Sequence, residues 1–374
     1  MIFSKARLSS AMMSTWLALL GLILFVVHPS VSLAAAAKAN WQAEWKKTVE
    51  AAEKEGKLAL VTPPGDLWRK ALLGFQEDYP KIQVDLLAIP GRDFRPRLQQ
   101  ERQAGLYLWD ARVGGPSETY EWRDRNIIVP IRPLLLLPEV VDESKYLRGR
   151  LEFADKTNQY ALMMVLNMSH NTYVNRDQIS EKDLGSAKEL IQPRWKGKIA
   201  INDPRGGAGL GALTVLNAKY GEELVKALLS KQDPVVAADY RQIGEWVVRG
   251  RYPIGLGLTN ESLRPFTNEG VGLNLKPLSG VTSLSVGFGS VQLFERAPHA
   301  AAAKVFVNWV MTRKAQERIA KIVGENSLRT DVPPGDPAEK VDPAEIGNDP
   351  PAQAEAVVDI RRDTLALAKK LLAK

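Results

Sequence analysis

Arg205, Gly206, Gly207 and Gly209 are the residues whose types and spacing speak most directly of chemistry in this chain of 374 residues. They close the stretch Trp195-Lys196-Gly197-Lys198-Ile199-Ala200-Ile201-Asn202-Asp203-Pro204-Arg205-Gly206-Gly207-Ala208-Gly209. This reads as a turn, a short buried strand and a glycine-rich loop opening a helix. Such a loop aims unpaired backbone N–H groups at whatever lies above it, and an anion is what those groups favour. The Arg205 guanidinium suits a carboxylate or phosphonate; a plain surface arginine is the competing account. The three glycines fit an anion nest somewhat better than an ordinary turn. Asn260, Glu261 and Ser262 end another strand of the same half, as ligand donors or as loop caps. In the first half, Asp66, Arg92, Ser117 and Glu118 lie in loops that follow strands. Asp66 suits a helix cap. Arg92 suits an anion, in competition with Arg95 and Arg97. Tyr160, near an expected hinge, has the ring to stack on a ligand and equally the character of a core tyrosine with its hydroxyl bonded.

No catalytic constellation accompanies these groups. The chain has no cysteine and three histidines, of which His170 and His299 lie beyond the leader. Disulfides, iron–sulfur clusters, thiolate metal sites and a lipid-anchored mature terminus are thereby excluded. Gly207-Ala208-Gly209-Leu210-Gly211-Ala212 fits a loose dinucleotide pattern. Four residues separate the strand from its first glycine, however, and the segment where a second strand should end in an acid reads as helix. There is no Gly-x-Ser-x-Gly elbow and no His-Glu-x-x-His. A receptor that traps a small molecule unchanged is the reading that follows, without a cofactor.

The elements that must position these residues follow from periodicity. Lys5 and Arg7, the apolar run Trp16–Val27 and small residues up to Ala37 form a secretory leader over 1–37, removed in an exported, periplasmic protein. The apolar run is short for a membrane span, which takes about 20 residues. Roughly 335 residues follow, enough for two lobes with their own cores. Their net charge is mildly basic and not gathered into a patch with aromatics, so nucleic acid is not an expected partner. Helix, strand, loop, helix and strand alternate from Trp41 to Leu86, a β-α-β pattern of the α/β class with mostly parallel sheets. Three strand ends then deliver Thr62-Pro63-Pro64-Gly65, Pro90-Gly91-Arg92 and Gly114-Gly115-Pro116-Ser117 to one sheet edge, where ligands of open α/β sheets bind. The expected organisation is a first lobe over 38–160, a second over 161–284 and a return to the first over 285–330. A proline-rich surface linker over 331–351 and a final helix over 352–374, packed on the first lobe, complete it.

With these pieces in place, the chain resembles a periplasmic solute-binding protein of an ABC importer, most closely the iron(III)-type branch. The resemblance rests on Pro193-Arg194-Trp195-Lys196-Gly197-Lys198-Ile199-Ala200 with Asp203-Pro204-Arg205-Gly206, on Gly250-Arg251-Tyr252-Pro253-Ile254-Gly255-Leu256-Gly257, and on Ala297-Pro298-His299-Ala300-Ala301-Ala302-Ala303-Lys304-Val305-Phe306. It implies a two-lobed, type II periplasmic-binding-protein-like fold, crossing strands at a hinge, closure over one small-molecule solute and delivery by a monomer to an inner-membrane permease. Iron(III) binders of this branch carry two adjacent tyrosines after the Gly-Leu-Gly strand. This chain has Leu258-Thr259-Asn260-Glu261-Ser262-Leu263 there, and no tyrosine pair elsewhere. A small anionic or zwitterionic solute is therefore the expected cargo. Ferric ion, with Glu261 as an oxygen ligand, or a ferric chelate is the alternative. Service as the receptor subunit of a sensor kinase is a further alternative with the same fold.

Overall fold

A short apolar strand that ends in proline and glycine must hand its chain to a helix across the sheet edge, and this happens repeatedly here. The computed structural model describes residues 30–372, positions 206 and 259 apart. The expected secretory leader over 1–37 lies outside the described residues up to position 29. Helix α1 (Ser30–Glu55) leads into β1 (Lys57–Thr62), α2 (Asp66–Leu72), α3 (Gly74–Asp78) and β2 (Gln83–Ala88). Then come α4 (Gly91–Gln103), β3 (Ala111–Gly114), α5 (Thr119–Asp124), β4 (Ile128–Val129) and α6 (Pro138–Val141). The middle of the chain holds β5 (Leu162–Met163), β6 (Asn167–His170), β7 (Thr172–Asn175), β8 (Ile199–Asn202), α7 (Gly207–Tyr220), α8 (Glu222–Lys231), β9 (Val235–Ala237), α9 (Tyr240–Val248), β10 (Ile254–Leu256) and α10 (Asn260–Asn268). It finishes with β11 (Leu275–Pro277), β12 (Thr282–Ser285), β13 (Ser290–Phe294), α11 (Ala300–Val310), α12 (Arg313–Val323), α13 (Pro343–Ile346) and α14 (Glu355–Leu372).

Two sheets result, one per lobe. The first has the order β2-β1-β3-β13-β4, with β5 also on β13; the second has the order β11-β7-β10-β8-β9. A third pair, β12 with β6, lies where the chain passes between them. Strands β1, β2 and β3 run parallel, as do β10, β8 and β9. Strand β13 is antiparallel to β3, β4 and β5, and β7 is antiparallel to β10 and β11. The sheets are thus more mixed than the mostly parallel ones expected, because strands next to the crossings run back against the β-α-β core.

Burial follows the pleat. Ile199 and Ile201 face one core with Leu213, Leu216 and Leu228 from α7 and α8. Ala200 between them faces another with Ile243 and Val247 from α9. In the first lobe Phe75 meets Phe306 and Trp309 edge-on, each at 5.5 Å, within the cluster that also buries Leu58 and Leu60.

Three organisational expectations are corrected. Strand β5 belongs to the first sheet, so the crossing comes after Met163 and not at 161. The segment 331–351 is no surface linker: Val341 and Ile346 are buried in the first core, apolar residues that its prolines disguise. The final helix packs on the second lobe. Ala368 is buried among α7 and α8 residues, and Thr364 accepts from Asn217 Nδ2 at 2.8 Å. The apolar stripe alone does not say which lobe it will meet.

Candidate functional site

The carboxyl ends of β1, β2 and β3 surround a cavity of about 510 Å³. Pro63 and Pro64 follow β1; Pro90, Gly91 and Arg92 follow β2; Gly114, Gly115, Ser117 and Glu118 follow β3. Gly287 and Phe288, just past the hinge strand β12, and Gln353, just ahead of α14, complete the wall. The first N–H groups of α4 face this space. Asp93 and Phe94 already donate to Pro90 O at 3.0 and 2.9 Å, whereas Gly91 and Arg92 precede the first helical bonds.

The floor of the cavity holds a residue that the motif reading passed over. Arg112, inside β3, is 5 % exposed. Its Nη1 donates to Gly115 O at 2.9 Å and to Gln292 Oε1 at 3.2 Å, and its guanidinium lies 5.1 Å from the Trp122 ring centre. Gln292 Nε2 is 2.7 Å from Ser290 Oγ, which donates to Gly114 O at 2.6 Å, so the orientation of the guanidinium is set by a buried chain of bonds. Glu118 is the carboxylate closest to hand, 3.5 Å from Nη2. Burial draws the Arg112 pKa down, against the pull of Glu118. Two glycines leave room for it: a Cβ at Gly114 would sit 2.7 Å from Cζ, and one at Gly91 would sit 3.0 Å from Nη2. The signal in the sequence is a charged residue inside the short strand Asp110–Val113, followed by paired glycines.

Of the first-lobe candidates, Arg92 and Ser117 line the cavity with Arg112. The Arg92 side chain is 85 % exposed, with Asp93 Oδ1 3.7 Å away. Asp66 is the first residue of α2, behind an N-cap at Gly65, so it supports the helix dipole and caps nothing. Tyr160 is partly buried against the cluster that contains Phe94, Trp122 and Phe294, and its N–H donates to Asp155 Oδ1 at 2.9 Å.

In the second lobe, Arg205 grips Asp203 with Nε at 2.8 Å and Nη2 at 2.6 Å, an ion pair two residues apart on an exposed loop. Asp203 is held below the usual carboxylate range by that partner. Gly206 lies outside the described residues. Gly207, at φ +52°, starts α7. The Gly209 N–H donates to Asn202 Oδ1 at 3.2 Å, and a Cβ at Gly209 would lie 1.9 Å from Asn202 O. At Gly257, with φ +78°, a Cβ would lie 2.7 Å from Asn202 Cβ and 2.8 Å from the Gly209 backbone. These two glycines let β8, β10 and α7 approach one another; the N–H of Gly209 is spent inside the protein. Asn260, Glu261 and Ser262 form the first turn of α10.

Residues 150–321 match the family model described as bacterial extracellular solute-binding protein. The fold is shared with solved structures along nearly all of their length. One is the Trichodesmium protein IdiA (FutA) in complex with iron and citrate: TM-score 0.64, 15 % identity, 85 % of this chain and 100 % of that one. Another is the Mannheimia haemolytica ferric iron-binding protein A in an open conformation: TM-score 0.62, 13 % identity, 84 % and 98 %. A third is the periplasmic binding protein AfuA from Actinobacillus pleuropneumoniae with fructose-6-phosphate bound: TM-score 0.56, 14 % identity, 85 % and 99 %. The family match therefore covers residues 150–321, and across the rest of the chain the likeness is one of fold. No protein of curated function matches it in sequence.

A small-molecule site is a concave surface with a few convergent polar groups, and this distinguishes two of the described cavities. The other, of about 700 Å³, is walled by Val129, Pro133, Leu134, Leu293 and Ala300 among others. The helix terminus beside it is already satisfied, because Glu55 accepts from the N–H groups of Ala301 and Ala302 at 3.1 and 2.8 Å. The smaller cavity instead offers a buried guanidinium and an open helix terminus. Among the described residues no group of three or more histidine, aspartate or glutamate side chains is placed to hold a metal ion.

Proposed function

We propose that this protein captures a small anionic solute in the cavity at the ends of β1, β2 and β3 and passes it to an ABC permease. The observation that carries the reading is Arg112. A buried guanidinium that faces the cavity wall, with its nearest carboxylate at 3.5 Å, gains a second charge partner when an anion enters. A zwitterion meets the same requirement through its carboxylate. Micromolar capture takes about 8 kcal/mol. The terminus of α4 supplies about 1–2 kcal/mol of this, and each charge-assisted hydrogen bond to Arg112 about 1.5–3 kcal/mol. The balance comes from the second lobe closing over the bound solute at the β6–β12 hinge, where Arg205, Gly207 and the first turn of α10 are the groups on offer.

The citrate and fructose-6-phosphate in the two similar structures are both multiply charged oxyanions, which makes them suitable first probes. A ferric chelate is the second reading, favoured by the iron and citrate of the Trichodesmium structure. A cavity of donors fits the anionic face of a chelate better than a bare cation. The site residues do no chemistry on the solute in this reading. The protein acts as a periplasmic monomer, exported by its N-terminal leader.

Calorimetric titration of the wild type and of Arg112→Gln with citrate and with fructose-6-phosphate tests the proposal. Loss of one charge-assisted contact weakens binding of the recognised anion by at least about tenfold. Equal affinity in the two proteins overturns the reading.

A further inference from the structure

The last segment of the chain enters the solute cavity. It starts in the first lobe: Glu355 N donates to Ala154 O at 2.8 Å, and the Glu355 carboxylate accepts from Arg123 Nη1 at 2.8 Å, Arg123 Nη2 at 3.0 Å and Lys156 N at 2.8 Å. It ends on the second lobe, where α14 lies along α7 and α8. Just ahead of the first anchor it touches the hinge. Ala352 N donates to Leu284 O at 2.8 Å, Gln353 Nε2 to Ser285 Oγ at 3.0 Å, and Val286 N to Gln353 Oε1 at 3.1 Å. The Tyr120 hydroxyl donates to Gln353 O. Gln353 is therefore fixed at both its backbone and its side chain, and it lines the cavity that holds Arg112. Its amide nitrogen carries two hydrogens, of which the bond to Ser285 uses one.

We propose that Gln353 is a specificity-determining contact of the solute site, its second amide N–H donating to the bound anion while its carbonyl holds the hinge strand. This rests on the assignment of the solute to the Arg112 cavity. The consequence is mechanical as well as chemical. The group that touches the solute is bonded to β12, one of the two strands on which the lobes turn, so occupancy of the cavity and the geometry of the hinge bias one another.

The test exploits a difference between two substitutions. Gln353→Glu keeps acceptors for Val286 N and for the Ser285 hydroxyl, but replaces the donor with a negative charge. Gln353→Ala removes the hinge bonds and adds no charge. Both are titrated with citrate and fructose-6-phosphate beside the wild type and Arg112→Gln, with thermal unfolding of each to verify the fold. The proposal expects Gln353→Ala to bind the recognised probe about tenfold more weakly. It expects Gln353→Glu to lose on the order of a hundredfold through like-charge contact. A residue that merely braces the hinge gives the opposite order, with Gln353→Glu near wild type. That order, with binding lost in Arg112→Gln, overturns the role of Gln353 and leaves the cavity assignment standing. Wild-type binding in Arg112→Gln, or no binding of either probe by the wild type at millimolar concentration, overturns both.

Discussion

At Gly209 a methyl group has nowhere to go. The Asn202 carbonyl oxygen would stand 1.9 Å from the added Cβ, and the strand that carries it is buried on both faces. The contact is with backbone, so no rotamer change relieves it. Gly209→Ala accordingly destabilises the protein by about 3 kcal/mol, seen as a lower urea midpoint with an unchanged slope. The same position illustrates how a motif can be read for the wrong property. Glycine spacing suggested N–H groups presented to a ligand, whereas at Gly209 the glycine serves a strand–helix approach. At Gly91 and Gly114 the missing side chains make space for a guanidinium instead. A missing Cβ says only that something comes close; the packed neighbour decides what.

At the scale of elements, the segment leading into β5 is ordered by one carboxylate. Asp155 accepts from Gln159 N at 3.2 Å, Tyr160 N at 2.9 Å and Ala161 N at 3.0 Å, and from the Thr157 hydroxyl. Burial pushes the Asp155 carboxyl up, and these bonds outweigh it, holding the group below the usual aspartate range. A folded-state pKa below the unfolded one stabilises the protein above the unfolded value, near pH 3.8, and that contribution is lost as pH falls through the lower folded pKa. Asp155→Ala thus costs about 3 kcal/mol at neutral pH. The gap between mutant and wild type narrows below about pH 4. Urea unfolding at pH 7 and at pH 3 measures both values, and a pH-independent gap would contradict the assignment. The final helix makes a related point. Its Glu355 is tied to the first lobe and its Ala368 to the second, so one element answers to both halves of the molecule.

For the whole molecule, two sheets joined through a narrow pair of crossing strands define a body able to change shape about that pair. The proposed closure over the solute would draw the lobes together. Small-angle scattering of the purified protein should record a smaller radius of gyration on saturation with the anion that calorimetry identifies. The thermal midpoint should rise with anion concentration, by mass action on the folded state. An unchanged radius with a raised midpoint would mean that the anion binds one lobe without closure. The bonds of Gln353 and Ala352 to β12 place the C-terminal segment on the same moving part.

Periodicity and loop composition were enough to read the α/β class, the repeated strand–loop–helix unit and the three proline- and glycine-rich loops that now surround one cavity, because these depend on neighbours a few residues apart. That Arg92 and Ser117 would stand at the sheet edge was legible for the same reason: each follows the end of a strand. Tertiary structure alone decided the rest. Arg112 comes to the cavity floor with its guanidinium held by Gln292, from a strand 180 residues away in sequence. Arg205 bonds to Asp203, and the Gly209 N–H to Asn202, because the fold brings these partners, two and seven residues away, within hydrogen-bond reach. Gln353 and α14 reached the hinge and the second lobe through contacts with residues 68 and 147 positions distant. An amphipathic stripe states that a helix must be covered, and only the packed chain supplies the surface that covers it.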